Sequence, residues 1–342
     1  MSLPPLILTL LFVVGVIAYI AVFALLAIWL ERKVSAHMQD RLGPMETGGW
    51  HGWSQTIADL VKLLVKEDII PAAADNFLFR VAPYVVFVGS FAAWAVLPFA
   101  ANLIGTDINI GVFYLVAVSS TVVIGILMAG WASNNKWAMY GAMRSAAQMV
   151  SYEIPIALSL LVPILLASSL SMQDLVKVQA GGFWHWTVFQ HFPFAFIAFV
   201  IYFWASLAEV NRTPFDIPEA ESELVAGYHV EYSGMRFAMF FLSEYANMFL
   251  VSGVVTALFL GGWHAPLPAL EISVQTSLLG HAIVGALWFS IKAMTLVLLQ
   301  MWLRWTLPRL RVDQLMHICW KVFLPFSFVN VLLVSLWAAL GR

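Results

Sequence analysis

Charge is what this sequence has least of. Lys, Arg, Asp and Glu make up 11% of its 342 residues and hydrophobic residues 62%, whereas an ordinary soluble domain is about 25% charged and 45–50% apolar. That composition excludes a soluble globular protein. The 17 basic and 19 acidic residues nearly cancel, so no general basic field exists to hold nucleic acid. Cysteine is almost absent. With Cys319 alone, the chain by itself forms no internal disulfide, no four-Cys zinc site and no thiolate-ligated iron–sulfur cluster. No Lys or Arg precedes Arg32, so the first apolar run lacks the basic start of a cleaved signal peptide and is too long for one; it reads as a permanent helix. No Gly-rich phosphate loop follows a strand, so nucleotide binding has no support.

What is present is a series of apolar runs near the ~20 residues needed to cross a bilayer. They fall at about 6–30, 81–101, 110–132, 149–170, 192–209, 237–261, 278–303 and 318–340. The runs are apolar all round, not alternating, which excludes a β-barrel. The expected fold is an all-α integral membrane protein, one membrane domain over residues 1–342 with about eight spanning helices. Residues 55–67 carry apolar residues at helical spacing with charges opposite, as in Thr56–Lys66, and predict an amphipathic helix lying in the interface; Pro71 ends it.

Basic residues orient the bundle. Arg32, Lys33, Arg41, Lys62, Lys66, Arg80, Lys136, Arg144, Arg212, Arg236, Arg304, Arg309, Arg311 and Lys321 all follow odd-numbered spans. The other side holds only Lys177 and Arg342. By the positive-inside rule the odd connections are cytoplasmic and both termini lie outside. The cytoplasmic connections are long and rich in ionisable residues, so chemistry or docking is expected there.

The segment Ala208–Arg236 is the most polar, with six acidic residues and two arginines. Part of it reads as a solvated loop with a helix start at Asp216 and Glu219, three apart around Pro218. Yet Asp216, Glu219 and Glu223 at i, i+3 and i+7 would share one helix face, where like charges perturb one another; a functional carboxylate cluster is the preferred reading. Within the spans, Glu153 is expected to open the fourth, Glu209 to close the fifth, Glu244 to lie about two turns into the sixth and Lys292 near the middle of the seventh. Each costs about 2.5–3.5 kcal/mol facing lipid, so each should face protein or a wet cavity. A structural ion pair explains Lys292 equally well, but several carboxylates at different depths suit a proton relay. The histidines offer no pair at one depth for haem, and His185 and His191 beside Trp186 and Phe192 read as an aromatic interface belt, not a metal site.

These residues resemble a known family, the membrane component of respiratory complex I at the junction with the peripheral arm, called subunit 1 in mitochondria and the H subunit in bacteria. The resemblance spans nearly the whole chain. It rests on Glu31-Arg-Lys33 with Arg41-Leu-Gly-Pro44, Ala58-Asp-Leu-Val-Lys62 with Lys66-Glu67, Trp131–Trp137, Gly141-Ala-Met-Arg144, Ala147-Gln148, Ser151-Tyr-Glu-Ile-Pro155, Glu209–Arg236 and Arg304–Gln314. It departs at Met45–Trp53, where the family has a shorter Gly-rich link.

The resemblance implies a proton-translocating NADH:quinone oxidoreductase of the bacterial inner membrane, with quinone (ubiquinone or menaquinone) as substrate and no metal or flavin bound by this chain. It implies as partners the other membrane subunits, the quinone-site and iron–sulfur subunits of the peripheral arm, and membrane lipid. Quinone would enter near the first helix past Arg32, Arg41 and Phe215. Arg212, Asp216, Glu219, Glu221, Glu223 and Arg236 would belong to the channel, and Glu153, Glu209, Glu244 and Lys292 to the proton path. Two other readings compete: the equivalent component of a membrane-bound hydrogenase, and a stand-alone ion-coupled transporter, for which the internal repeat is missing.

Overall fold

The computed structural model describes residues 5–101, 103–218, 221–267 and 278–340. Among them helices dominate, and the only extended pairing is an isolated bridge between Ala100 and Leu103. Helix α1 runs Pro5–Met38, α2 Gln55–Val65, α3 Asn76–Ala92, α4 Gly111–Ser119, α5 Thr121–Ala132 and α6 Lys136–Ala167. Then come α7 Phe194–Glu209, α8 Gly234–Phe259, α9 Leu278–Thr306, α10 Val312–Ile318 and α11 Leu324–Ala339.

Among the described residues, seven helical units are long and apolar enough to cross a membrane; α4 with α5 is one, and α10 with α11, joined by a π-helical turn at Cys319–Phe323, is another. The eighth expected span, α7, has 16 residues, roughly 24 Å of helix, short of a ~30 Å hydrocarbon core.

Several helices begin or end beyond the apolar runs. Helix α6 starts at Lys136 where hydropathy placed a start near 149, so Glu153 lies mid-helix instead of opening it. The polar turns that hide this extension are used: the Gln148 amide donates to the Ala208 and Phe215 carbonyls at 2.8 and 2.7 Å. Helix α1 likewise continues through Glu31 because that charge is paired inside the protein. The helix expected to align Asp216, Glu219 and Glu223 does not form on that scale. Among the described residues of the segment, Glu221–Leu224 is the helical stretch, Asp216 sits in irregular loop, and Glu219 lies outside the described residues.

Helix α8 is the axis of the bundle: 67% of its apolar window is buried, against 28% for α1 and 17% for the last span. Small residues Ser252, Gly253 and Thr256 let neighbours approach it; a Cβ on Gly253 would sit 3.1 Å from Leu97 and 3.2 Å from Phe289. Around it, Tyr19, Trp94, Phe99, Phe249 and Phe289 form a nest of edge and stacked rings. The outer faces of α1 and α11 expose Leu10, Leu11, Val14, Phe326, Leu332 and Leu336, as a lipid solvent allows.

Candidate functional site

Glu31, in the last turns of α1, is the hub of a buried ionic cluster. It is 5% exposed and accepts two hydrogen bonds from Arg212 Nη1, at 2.8 and 3.0 Å. The Tyr245 hydroxyl donates to it at 2.6 Å, and Arg304 of α9 also pairs with it. Arg212 reaches onward: its Nε forms an ion pair 2.8 Å from Glu244 Oε1, without the alignment of a hydrogen bond, and its guanidinium lies 4.7 Å from the Tyr245 ring centre. One arginine therefore bridges two carboxylates on different helices. Burial works against the Arg212 charge, but Glu244 and Glu31 outweigh it and hold its pKa well above the usual value.

The loop after α7 brings Arg212 to this position. Its backbone N–H bonds the Leu207 carbonyl at 3.0 Å, and Pro214 O accepts from Leu310 N at 3.0 Å, which ties the loop to the segment following α9. The Asn211 amide donates to Ser145 at 3.2 Å. Phe215 is 2% exposed and packs on Tyr152 with ring centres 5.5 Å apart. The Phe215 ring thereby anchors the loop against α6.

Beyond the hub, Asp216 pairs with Arg309 at 3.0 Å. These two, with Thr213, Ala226, His229, Arg304 and Trp305, line a cavity of about 290 Å³. Burial pushes the Asp216 carboxyl up despite the opposing pull of Arg309 and Arg304, and pushes the His229 imidazole down to about 4. The cavity thus holds a carboxyl sensitive to added charge and a neutral histidine at physiological pH.

In the other direction the carboxylates continue. Glu244 and Glu209 line one small cavity, of about 20 Å³, together with Asn247, Ser243 and Tyr228. Glu209 and Glu153 line a second, of about 10 Å³, with Ser119 and Tyr202. Glu31 and Glu244 are thus joined through Arg212, Arg304 links Glu31 to the Asp216 cavity, and Glu209 borders both small cavities.

The other expected residues lie elsewhere. Lys292 donates to the Leu260 and Gly262 carbonyls at 2.7 and 2.8 Å and sits over the Trp186 ring. It caps the end of α8 opposite Glu244, roughly 24 Å away at 1.5 Å per residue, so the structure does not bring it to the carboxylates. Arg32 pairs with Asp59 of α2, and Arg41 is exposed and donates to Gln39 at 2.6 Å; neither contact belongs to the hub. Glu223 pairs with Arg144 at 2.6 Å on the surface, and Arg236 pairs with Asp68 at 3.1 Å. The side chains of Glu219 and Glu221 lie outside the described residues. Sequence reasoning placed Glu31, Arg304 and Arg309 in motifs without assigning them to the site, and passed over Tyr245. The one available signal was Glu31 itself, a charge directly continuous with a long apolar helix.

A sequence model of the NADH dehydrogenase family matches residues 11–335. The chain belongs to the NADH dehydrogenase family. It is 57% identical over 327 residues to the H subunit of the NADH-quinone oxidoreductase of Chlorobaculum tepidum, covering 94% of this chain and 90% of that one. It is 49% identical to the corresponding H subunit of Anaeromyxobacter dehalogenans over 334 residues, 95% of this chain and 80% of that one. Against the H subunit of Geobacillus kaustophilus it is 49% identical over 319 residues, 93% and 90% of the two chains. The resemblance drawn from the sequence motifs to the complex I membrane component is borne out, and this chain is a multi-pass membrane component of an oxidoreductase complex.

Proposed function

We propose that this subunit forms the membrane-side wall of a quinone chamber and carries the charge change of quinone reduction into the membrane along a chain of carboxylates. Ubiquinone or menaquinone enters from the lipid near α1 and α2, past Arg32 and Arg41, and its ring reaches the cavity at Asp216, Arg304 and Arg309. Electrons arrive from flavin and iron–sulfur subunits of the peripheral arm, and neighbouring membrane subunits receive the output. The chain sits in the bacterial inner membrane with both termini outside, which puts the cavity at the cytoplasmic face.

The observation that carries this reading is the continuity of the path. Reduction of a quinone to quinol consumes two protons, so charge changes beside Asp216. A unit charge 4 Å away is worth about 4 kcal/mol at an effective dielectric near 20, enough to change Asp216 protonation and its hold on Arg309 and Arg304. Arg304 is shared with Glu31, Glu31 with Arg212, and Arg212 with Glu244. Redistribution among these pairs frees or traps a proton at Glu244, from which Glu209 and Glu153 lead away. The hydrogenase reading loses support because the relatives above are named NADH-quinone oxidoreductases.

A photoreactive quinone analogue in the intact complex tests the chamber. Labelling of peptides containing 212–216, 226–229 or 304–309, suppressed by excess natural quinone, is expected. Label confined to other subunits, or on this chain only in the lipid-facing parts of α1 and α11, overturns the chamber assignment.

A further inference from the structure

The break between α4 and α5 places three consecutive hydroxyls, Ser119, Ser120 and Thr121, within one span. Ser119 and Ser120 both donate to the Val116 carbonyl at 3.0 Å, and Thr121 donates to Val118 O at 2.7 Å. Back-bonding of this kind is the ordinary way a membrane helix satisfies a hydroxyl. The first two serines have a second contact. Ser120 meets the Glu153 carboxyl and Ser119 meets the Glu209 carboxyl at hydrogen-bonding range. Because they share one acceptor, their oxygens are separated by no more than two hydrogen-bond lengths. The cavity of about 10 Å³ between the two glutamates is lined by Ser119 itself, and a space of about that size admits a single water.

A hydroxyl carries one proton and two lone pairs. With its proton on the Val116 carbonyl, each serine oxygen offers lone pairs to a protonated carboxyl. Rotated, it donates to a carboxylate. Each serine therefore satisfies its glutamate in both protonation states, and the adjacent pair connects glutamates that belong to different helices.

We propose that Ser119 and Ser120 relay a proton between Glu209 and Glu153, with one water in the small cavity completing the line. Protonated Glu209 gives its proton to the Ser119 oxygen as the Ser119 hydroxyl gives its own to the water. The water passes one proton to Ser120, and the Ser120 hydroxyl proton goes to the Glu153 carboxylate. One proton has moved, both hydroxyls and the water finish neutral, and no electron is transferred. Rotation back to the Val116 carbonyl resets the line. The proposal rests on the reading of Glu209 and Glu153 as successive stations of the path.

The test uses the intact complex in inside-out membrane vesicles, with NADH-driven proton pumping and quinone reduction normalised to assembled complex. Variants S119A/S120A, S119T/S120T and E209Q are compared with the unaltered protein. Loss of relay hydroxyls is expected to lower pumping by roughly a hundredfold, the lower end of the range for removed proton-transfer groups, and threonine, which keeps the hydroxyl, to restore it to within about twofold. Full pumping by the alanine pair while E209Q is defective overturns the relay and leaves the carboxylate path standing. Full pumping by both overturns the path and the relay together. Equal loss in the alanine and threonine pairs means that packing is the cause and also overturns the relay. If the alanine pair does not assemble, S119A and S120A singly are read by the same criteria.

Discussion

Replacing Arg212 with lysine keeps one positive charge in the loop but removes the bridge. Arg212 uses Nη1 for Glu31 and Nε for Glu244, and a lysine has a single nitrogen to share between carboxylates on two helices. Glu31 keeps Arg304 and Tyr245, so the loss falls on Glu244. At 2.8 Å the lost attraction is roughly 6 kcal/mol at an effective dielectric near 20, and breaking buried pairs costs about 3–5 kcal/mol in practice. If about 2 kcal/mol of that enters the barrier of the coupled step, turnover falls roughly thirtyfold. The assay is NADH-driven quinone reduction in membranes, normalised to NADH oxidation by an artificial acceptor that takes electrons ahead of the quinone. Turnover by Arg212→Lys within about twofold of the unaltered protein, at equal normalisation, would refute the claim that this bridge transmits the charge change.

Three further outcomes follow from other parts of the structure. His229, at about 4 against an ordinary 6.5, contributes stability that is complete above pH 6.5 and is lost as pH falls through 4, about 3 kcal/mol in all; hydrogen exchange of residues 226–230 should accelerate over that window, and His229→Asn should flatten the response. A Cβ on Gly141 would lie 2.6 Å from Gly227 Cα, so Gly141→Ala should destabilise the loop packing by about 1–3 kcal/mol and reduce assembled complex on native gels, whereas unchanged assembly would contradict the close approach. Lys292→Gln should weaken the cap of α8 and lower thermal stability of the extracted complex, yet leave protons pumped per electron unchanged; an altered ratio would return Lys292 to the proton path.

Hydropathy made the bundle legible because lipid forces every span to be a long apolar helix. It failed where polar residues are satisfied inside the protein, as in the first turns of α6, where Gln148 and Ser145 hold the loop after α7. The acidic segment was legible as important, but its geometry was not. Helical spacing suggested a shared face for Asp216, Glu219 and Glu223, while Asp216 lies in irregular loop outside the helix Glu221–Leu224. Glu31 finds its partners 181, 214 and 273 residues away, and no local pattern reports such separations. Lys292 is another such case, bonded to carbonyls 32 and 30 residues away at the end of α8.

If quinone reduction drives a proton along Glu244, Glu209 and Glu153, then Glu209 is the residue to remove, because it is the member common to both small cavities. Proton pumping and quinone reduction would be measured together for the complex carrying Glu209→Gln, reconstituted in sealed vesicles. Normal assembly is expected, with quinone reduction and pumping both sharply reduced. Pumping at the full rate and with an unchanged proton-to-electron ratio would contradict the carboxylate path.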